Sequence, residues 1–399
     1  MSVALSQSER ASIDQSIENA SGLPNDCYTN SDWVQVERDT VFSNTWTCIG
    51  YGYDLVPGTI RPMEFLGLPL LIVCDEFEHV QVFHNVCRHR GHRLVECAKE
   101  VNGFIQCPYH GWSYGLDGSL KRTPHFGGFG VHNYDGFDQS KNGLWRIPCA
   151  TWLGMVFINL GGVAPDFACH IQPLEHRWSE FTGIGGLSSL RPTSEGTSVE
   201  IEVNANWKLI VENYCESYHL PFVHPGLNEY SPVKDHYNIV AGEWGGGQGT
   251  RNYSFPERAG TKLPKHSNWP SGKKRFAEYI ALYPNVLLGL HVDHLFSVIL
   301  HPLAHDRTLE RIQIYCVGDE SSESCYVTCR QLVLDEWRKV LSEDIVPIEG
   351  MQRGRNSYAF DGGVFSPKLE ISTHHFHRWI AARYPVEIKG SEVRAKVAS

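Results

Sequence analysis

Residues 206–224 have the sequence N-W-K-L-I-V-E-N-Y-C-E-S-Y-H-L-P-F-V-H. Apolar side chains recur every three or four positions, which predicts a helix over 206–219. Its apolar stripe consists of Trp207, Ile210, Val211, Tyr214 and Tyr218. A narrow polar stripe of Glu212, Glu216 and His219 lies opposite, and His224 follows beyond Pro221. This pattern fits either a solvated helix face or a metal site in which His219 and His224 are ligands and a carboxylate lies one turn earlier.

The composition indicates a globular protein with two domains or one large one. The 399 residues are 42% hydrophobic and 20% charged, which is enough for sizeable cores and argues against disorder. The net charge is −10 and no basic run of five residues occurs, so nucleic acid and anionic membranes are poor candidate partners. No apolar stretch approaches the length of a membrane span. The polar start lacks a secretory pattern, and we expect a cytosolic location.

Twelve cysteines are too few for a disulfide scaffold of this size. In a reducing cytosol most of them are expected to be core or surface thiols. Cys215 adjoins Glu216, and we predict a packing role for it.

The distribution of apolar and turn residues predicts the remaining elements. Strands are expected over 68–73, 79–85, 103–106, 112–116, 119–122, 152–160, 198–203, 286–291, 294–301 and 309–317. Helices are expected within 165–192, over 331–346 with Pro347 as a stop, and over 375–383, while Ser12 is a predicted N-cap. The Gly-, Pro- and Asn-rich segment 225–275 predicts a mobile loop or lid. Strands and helices are segregated, which predicts an α+β fold.

Two Cys–His pairs occur within the first group of strands. Cys87 and His89 lie in N-V-C-R-H-R-G-H-R-L, and Cys107 and His110 lie in Q-C-P-Y-H-G-W-S-Y. Two thiolates and two imidazoles suit a tetrahedral zinc ion, or a [2Fe–2S] cluster with cysteines on one iron and histidines on the other. Both pairs follow predicted strands and lie in turns, which favours the cluster. His92 is interpreted as an additional surface histidine.

Asp344 lies on an unexpected face of the helix predicted over 331–346. The apolar stripe of that helix consists of Val333, Trp337, Val340 and Leu341, and Asp344 falls in its middle. An ionised carboxylate facing a core is costly unless it is paired or bound to metal. One interpretation is an ion pair with Arg353 or Arg355. The better one is a third metal ligand, because two histidines and one carboxylate form the facial triad of non-haem iron(II) oxygenases.

These motifs resemble those of a known family. C-R-H-R-G and C-P-Y-H-G-W-S-Y-x-x-x-G-x-L are similar to the Rieske iron–sulfur motif of ring-hydroxylating oxygenases. E-N-Y-C-E-S-Y-H-L-P-F-V-H-P and S-E-D-I-V-P-I-E-G-M-Q-R-G resemble the iron-binding stretch and the third-ligand helix of their α subunits. The resemblance covers residues 40–380.

The resemblance implies the architecture and the site residues. It implies an N-terminal helical segment over 1–42 that packs on the catalytic domain, an all-β Rieske domain over 43–160, a catalytic domain of helix-grip type over 161–385 and a polar tail over 386–399. The implied cluster ligands are Cys87, His89, Cys107 and His110, and the implied iron ligands are His219, His224 and Asp344. Asn213 takes the place of an asparagine near the iron. Glu216 takes the place of an acid that bridges a Rieske histidine of the neighbouring subunit, here His110, to His219.

The resemblance also implies an activity. A terminal oxygenase of this family uses O2 and electrons from a partner reductase or ferredoxin, with NAD(P)H as the indirect donor, and forms a head-to-tail homotrimer. Glu216 stands where ring dioxygenases usually have Asp, and Glu is common in relatives acting on choline, carnitine and betaines. We therefore expect monooxygenation or oxidative N-demethylation of a small quaternary amine.

Three alternatives stay open at this point: cis-dihydroxylation of an aromatic ring, a Rieske electron-transfer protein and a zinc-stabilised binding protein. The candidate iron ligands His219, His224 and Asp344 argue against the electron carrier, because such a protein does not need them. Two further groups of histidines occur. For His374, His375 and His377, beside Phe376 and Trp379, we predict packing. Some of His291, His294 and His301 are candidates to line a substrate pocket, but the sequence does not show which of them face it.

Overall fold

Three short helices open the chain in the computed structural model, which describes residues 3–100, 103–194, 199–254, 262–360 and 362–387. They are α1 (Gln7–Ile13), α2 (Asp26–Thr29) and α3 (Asp32–Glu37), and a π-helical turn over Arg38–Phe42 follows. Ser6 caps α1, so the predicted cap at Ser12 is wrong. The Ser6 hydroxyl accepts the backbone N–H of Glu9 at 3.2 Å, and the Glu9 carboxylate accepts that of Ser6 at 2.7 Å. This reciprocal capping box satisfies two N–H groups at once.

In the described residues of the next part of the chain, strands alternate with loops and two short 3-10 turns. The strands are β1 (Thr47–Tyr51), β2 (Thr59–Phe65), β3 (Leu68–Cys74), β4 (Val80–His84), β5 (Lys99–Glu100), β6 (Phe104–Gln106), β7 (Ser113–Gly115), β8 (Leu120–Arg122), β9 (Arg146–Ile147), β10 (Cys149–Trp152) and β11 (Met155–Ile158). They form three antiparallel sheets in the orders β5-β2-β3-β4-β9, β6-β7-β8 and β1-β11-β10. The predicted all-β character is confirmed.

A mixed region of helices and one large sheet follows. Its helices are α4 (Phe167–Thr182), α5 (Trp207–Tyr214), α6 (Leu220–Val223), α7 (Pro225–Tyr230), α8 (Val327–Gly354) and α9 (Ile371–Ala381). Its strands are β12 (Leu190–Pro192), β13 (Val199–Val203), β14 (His236–Val240), β15 (Gly245–Thr250), β16 (Ala277–Leu282), β17 (Val286–Leu290), β18 (His294–Ala304) and β19 (Arg307–Val317). They pair antiparallel in the order β12-β19-β18-β17-β16-β15-β14, with β13 also on β19.

The two faces of this sheet contact different layers, because side chains alternate along each strand. Phe296 and Val298 pack with Trp207 of α5 and Trp337 of α8 in one core. The opposite face packs against α4 and β11 in a second core, which consists of residues such as Trp178, Phe157 and Leu288. The α+β class is confirmed. Within the described residues, no helix is long and apolar enough to cross a bilayer.

The predicted loop over 225–275 is wrong for its first half, which contains α7, β14 and β15. Gly245 to Gly249 lie in a fully buried strand. A Cβ on Gly247 would lie 2.0 Å from the carbonyl oxygen of Tyr279, so only glycine fits there. Helix α9 also packs closely on this strand, since its Ser372 Oγ lies 2.7 Å from the carbonyl oxygen of Gly247. The close packing of neighbouring backbone segments explains why glycines occupy this strand. Residues 255–261 lie outside the described part.

Two helix ends differ from prediction. The helix expected over 206–219 ends at Tyr214, and Tyr218 is exposed rather than part of an apolar stripe. The cause is Glu216, whose carboxylate accepts the backbone N–H groups of Tyr218 and His219 and so replaces helical hydrogen bonds. Conversely, α8 continues through Pro347 to Gly354. Proline removes one hydrogen bond from a helix, and the buried side chains on either side of it, Leu341 and Ile348, keep the helix on the core.

Candidate functional site

The two Cys–His loops have the same local structure despite their different spacing. The carbonyl oxygen of Cys87 accepts the N–H of Gly91 at 3.0 Å, and that of Cys107 accepts the N–H of Gly111 at 3.1 Å. Both glycines have φ of +73°, a left-handed conformation that favours glycine. Each loop therefore reverses direction four residues after its cysteine.

These loops bring two thiols and two imidazoles together. Cys87 and Cys107 are buried, and the rings of His89 and His110 are 4.6 Å apart between centroids. The ring of His89 stacks on Trp112 at 4.8 Å. Burial, followed by the charges of His110 and Arg90, lowers the pKa of His89 and favours the neutral imidazole that binds metals. This donor set fits a [2Fe–2S] cluster with two sulfur and two nitrogen ligands.

One of the two thiols, that of Cys87, is also in contact with a tyrosine hydroxyl. The hydroxyl of Tyr114 lies 3.2 Å from Cys87 Sγ and accepts the backbone N–H of Arg88 at 3.0 Å. A cysteine that binds a cluster is a thiolate without a proton, so in that state the Tyr114 hydroxyl would be the donor to the sulfur.

The second set of predicted ligands also converges. His219 caps the N-terminus of α6, His224 follows its C-terminus, and Asp344 projects from α8. One nitrogen or oxygen atom from each residue lies within 4.8 Å of the other two. His224 Nε2 is 3.0 Å and His219 Nε2 is 3.7 Å from Asp344 Oδ1. Two imidazoles and one carboxylate in this arrangement fit a mononuclear iron(II) site.

The alternative of an ion pair for Asp344 is wrong. Arg353 pairs with Glu349 at 3.6 Å, and Arg355 pairs with Glu212 at 3.3 Å. Among the described residues, Asp344 contacts the two histidines and Asn213, whose Nδ2 donates to Asp344 Oδ1 at 2.8 Å. Asn213 thus orients the carboxylate.

A carboxylate contacts the far nitrogen of each histidine. His219 Nδ1 is 2.6 Å from Glu216 Oε1, and His224 Nδ1 is 2.8 Å from Glu343 Oε2. Each contact holds the imidazole so that Nε2 faces Asp344, as carboxylates do behind metal-bound histidines. Burial lowers the pKa of His224, but hydrogen bonds to Asp344 and Glu343 outweigh burial and raise that pKa above its ordinary value. Sequence reasoning missed Glu343, although it is adjacent to Asp344.

A small cavity adjoins the three candidate ligands. Its volume of about 50 Å³ has room for roughly three to five water molecules. The wall beyond the ligands is aromatic and includes Tyr279, Phe296 and Trp337, while His236 and Gln248 add polar groups. Tyr279, Gly289 and Phe296 occupy one register position across β16, β17 and β18. The sequence did not reveal this wall because strand register was not readable from it.

The remaining candidate histidines do not line this cavity. His374 Nε2 contacts the carbonyl oxygen of Ile13 at 2.9 Å, and His377 Nδ1 accepts the N–H of Leu23 at 2.9 Å, which confirms their packing role. His291 and His294 pack against Trp337, with ring centroids 5.1 and 6.2 Å from it.

Two family models match the chain. One is described as "Ring hydroxylating alpha subunit (catalytic domain)" and matches residues 190–386. The other is described as "Rieske [2Fe-2S] domain" and matches residues 45–135.

Known relatives match most of the chain. The carnitine monooxygenase oxygenase subunit of Escherichia coli K12 is 27% identical over 374 residues, which cover 90% of this chain and 92% of the relative. The chloroplastic choline monooxygenase of Arabidopsis thaliana is 26% identical over 381 residues, which cover 90% of this chain and 82% of the relative. The glycine betaine monooxygenase oxygenase subunit of Pseudomonas aeruginosa is 26% identical over 406 residues, which cover 92% of this chain and 90% of the relative.

Solved structures have the same fold. The quaternary ammonium Rieske monooxygenase CntA in complex with L-carnitine has a TM-score of 0.70 and 24% identity, covering 96% of this chain and 99% of that one. Naphthalene 1,2-dioxygenase with indole has a TM-score of 0.67 and 16% identity, covering 93% and 94%. Rieske oxygenases take electrons from a reductase partner and use O2 and small substrates. The chain belongs to the Rieske non-haem iron ring-hydroxylating oxygenases, as an α subunit whose cofactors are a Rieske [2Fe–2S] cluster and a mononuclear iron.

Proposed function

We propose that this protein monooxygenates a small quaternary ammonium compound, with oxidative N-demethylation as the expected outcome. The observation that carries this proposal is the aromatic wall of Tyr279, Phe296 and Trp337 beside the candidate iron ligands. Aromatic faces attract quaternary ammonium groups, which form no hydrogen bond of their own. The matched relatives named for carnitine, choline and glycine betaine support the same substrate class.

In this proposal Cys87, His89, Cys107 and His110 hold the cluster, and His219, His224 and Asp344 hold the iron. When bound, the cluster supplies single electrons and the iron supplies dioxygen activation. The protein's own groups orient these ligands and exclude water. Glu216 holds the Nδ1 proton of His219, and Asn213 orients Asp344. The lining of the cavity includes four aliphatic side chains: Leu220, Leu227, Val340 and Leu341.

We further propose a head-to-tail homotrimer, because exposed aromatic side chains adjoin both candidate metal sites. Near His89 and His110 these are Tyr109, which is 54% exposed, and Phe126, which is 37% exposed. Next to His219 they are Tyr218 and Phe222, which is 82% exposed. Exposed apolar groups of this kind mark association surfaces. A second copy would cover both and place its His110 near Glu216.

The decisive variant for the bridge is Glu216→Ala, compared with Glu229→Ala on the exposed side of α7. We expect Glu216→Ala to keep the cluster and, with iron supplied in excess to offset the loss of the carboxylate behind His219, its iron, but to lose product formation by at least about 100-fold, while the reductase still reduces the cluster. The Glu229→Ala control keeps its activity. Retained activity in Glu216→Ala, with both metals present, rules out the bridge.

The reaction itself is tested by O2 uptake with a reductase and NAD(P)H. Choline, carnitine and glycine betaine are compared with naphthalene, and formaldehyde is measured. Uptake with a quaternary amine and release of formaldehyde supports the proposal. A diol from the aromatic compound instead establishes the alternative, cis-dihydroxylation. The cytosolic location stays a prediction.

A further inference from the structure

The irregular turn that carries Glu216 is attached to strand β15. Glu216 lies between α5 and α6, so its carbonyl oxygen belongs to no helix. The amide of Gln248 supplies the donor instead: its Nε2 donates to the Glu216 carbonyl oxygen at 2.7 Å, in a buried hydrogen bond. The preceding residue contacts the same strand, because Cys215 Sγ lies 3.6 Å from the carbonyl oxygen of Gly246. Two consecutive residues of the turn are therefore held by β15.

His236 fixes the orientation of the Gln248 amide. A carbonyl oxygen only accepts hydrogen bonds, so the amide nitrogen of Gln248 faces Glu216 and its Oε1 faces the other way. There Oε1 lies 2.6 Å from Nδ1 of His236, which is thus the donor. On the far side of the ring, Ser231 Oγ lies 3.0 Å from Nε2. A flipped amide would place its N–H groups against the Nδ1 proton, so the amide keeps this orientation.

The imidazole of His236 is neutral in this arrangement. Burial lowers the pKa of His236 and outweighs the hydrogen bonds to Gln248 and Ser231, which raise it. A neutral ring with its proton on Nδ1 is the form that the amide of Gln248 requires.

The side chain of Glu216 is held from the opposite direction to its backbone. Its Oε2 accepts the backbone N–H groups of Tyr218 and His219, and its Oε1 lies 2.6 Å from His219 Nδ1. The contact with His219 thus has one support in the turn itself and another in Gln248. A shift of the Glu216 backbone would move the carboxylate relative to the imidazole.

Gln248 and His236 also line the cavity beside the candidate iron ligands. Gln248 is only 8% exposed, and both of its polar atoms have protein partners. Both ring nitrogens of His236 likewise have protein partners. These hydrogen bonds are made within the protein, so the pair acts on the site through Glu216.

We propose that Gln248, held by His236, is a positioning residue that sets the place of Glu216 as the electron bridge between the two metal sites. This inference rests on the proposed function, in which Glu216 links His219 to His110 of a second copy. An electron leaves the reduced cluster, which becomes oxidised, and reaches the iron site, where O2 accepts it. No bond to Gln248 forms or breaks in this step. Gln248 acts only through the backbone of Glu216.

The test measures a single oxidation of the cluster in the holoenzyme. The cluster is reduced with dithionite, the enzyme is mixed with O2 and a substrate, and the visible spectrum follows reoxidation. Choline, carnitine, glycine betaine and naphthalene are tried, and the compound that gives the fastest reoxidation of the wild type is used. We expect Gln248→Leu to slow reoxidation about 10- to 100-fold, with iron content, cluster potential and affinity for the compound within about twofold of the wild type.

A second variant removes the support behind Gln248. His236→Phe keeps a ring but lacks the Nδ1 donor, and it should slow reoxidation in the same direction by a smaller factor. A purely structural role predicts a lower melting temperature with an unchanged rate for each site that retains its iron. The rate per loaded site therefore separates positioning from stability.

The matched control is Asn238→Leu. Asn238 pairs with Gln248 across β14 and β15, but its amide donates to the carbonyl oxygen of Lys368 at 2.7 Å. This variant should reoxidise at the rate of the wild type. The inference is overturned if Gln248→Leu does so too, or if Asn238→Leu is slowed equally.

Should Gln248→Leu fail to fold or to hold iron, the rate of His236→Phe decides, and an unchanged rate overturns the inference. If naphthalene alone supports reoxidation of the wild type, the proposed substrate class fails, while the ratio of variant to wild-type rates still decides the role of Gln248. If none of the four compounds does, both proposals fail.

Discussion

Glu343 Oε2 lies 2.8 Å from Nδ1 of His224, on the side of the imidazole opposite Asp344. Asp344 Oδ1 lies 3.0 Å from Nε2 of the same ring. Two consecutive residues of α8 therefore hold one histidine from both sides. Since Nδ1 is held by Glu343, Nε2 is the nitrogen available for a metal ion.

Replacing Glu343 should weaken iron binding specifically. We expect Glu343→Ala to lower iron affinity about 10- to 100-fold, because His224 loses the group that fixes its tautomer and orientation. Iron content and competition with a chelator measure this effect, and the visible spectrum reports the cluster, which should be unchanged. The control is Glu349→Ala, on the same helix but bonded to Asn204. Equal iron affinity in both variants would contradict the role of Glu343.

Tyr114 should raise the reduction potential of the cluster. Its hydroxyl donates to Cys87 Sγ, and hydrogen bonds to cluster sulfur favour the reduced, more negative state. We expect Tyr114→Phe to lower the potential by roughly 60–130 mV, the one-electron equivalent of a hydrogen bond to a charged group worth about 1.5–3 kcal/mol. Spectroelectrochemistry provides the measurement. Tyr109→Phe removes an exposed hydroxyl near His110 and should leave the potential unchanged; an equal shift in both variants would refute the assignment.

A buried ion pair should stabilise the contact between the N-terminal helices and α5. Lys208 is fully buried and pairs with Glu37, which also accepts the indole N–H of Trp207 at 2.7 Å. Lys208→Met leaves the Glu37 carboxylate buried without its cation, and we expect the free energy of unfolding to fall by about 3–5 kcal/mol. Adding Glu37→Gln should restore part of the loss in denaturant unfolding. A double variant no more stable than the single one would argue against this explanation.

Glu310 should make stability depend on pH. It is buried on β19, and burial followed by the charge of Asp344 raises its pKa from 4.5 to about 8. The folded protein therefore keeps a proton that the unfolded chain loses above pH 4.5, so stability falls as pH rises from 4.5 to 8. The slope is at most about 1.4 kcal/mol per pH unit for one group.

Glu310→Gln stays neutral at every pH and should lack this decline. Unfolding in urea at intervals from pH 5 to 9 measures the difference between the two proteins. We expect the stability of the wild type relative to the variant to decrease up to pH 8 and then to level off. Parallel pH profiles would mean that Glu310 is already ionised in the folded protein at pH 5.

Several features were predictable because they depend on short segments. Cys87 and Cys107 each precede a glycine by four residues, and that spacing alone produces the same turn in both loops. The strands predicted over 112–116 and 119–122 pair as β7 and β8, and of the two turn residues Asp117 and Gly118 only Gly118 has a positive φ, of +80°, so a type I′ turn does not form. Failures occurred where distant contacts override local preference. Gly247 lies in a strand that pairs with β14 and β16, and the carbonyl oxygen of Tyr279 on β16 leaves room for glycine alone at that position.

The sequence by itself determined the donor types and their local spacing: two cysteines, four histidines and one aspartate in motifs short enough for the backbone to set their geometry. Only the tertiary structure decided the partners of these residues. The helix over 206–219 had to end at Tyr214 before Glu216 could reach His219, and the position of α8 decided that Glu343 and Asp344 hold His224. The register of β16, β17 and β18 decided that Tyr279 and Phe296 meet beside those ligands. Contacts between segments distant along the chain depend on packing, which local pattern does not specify.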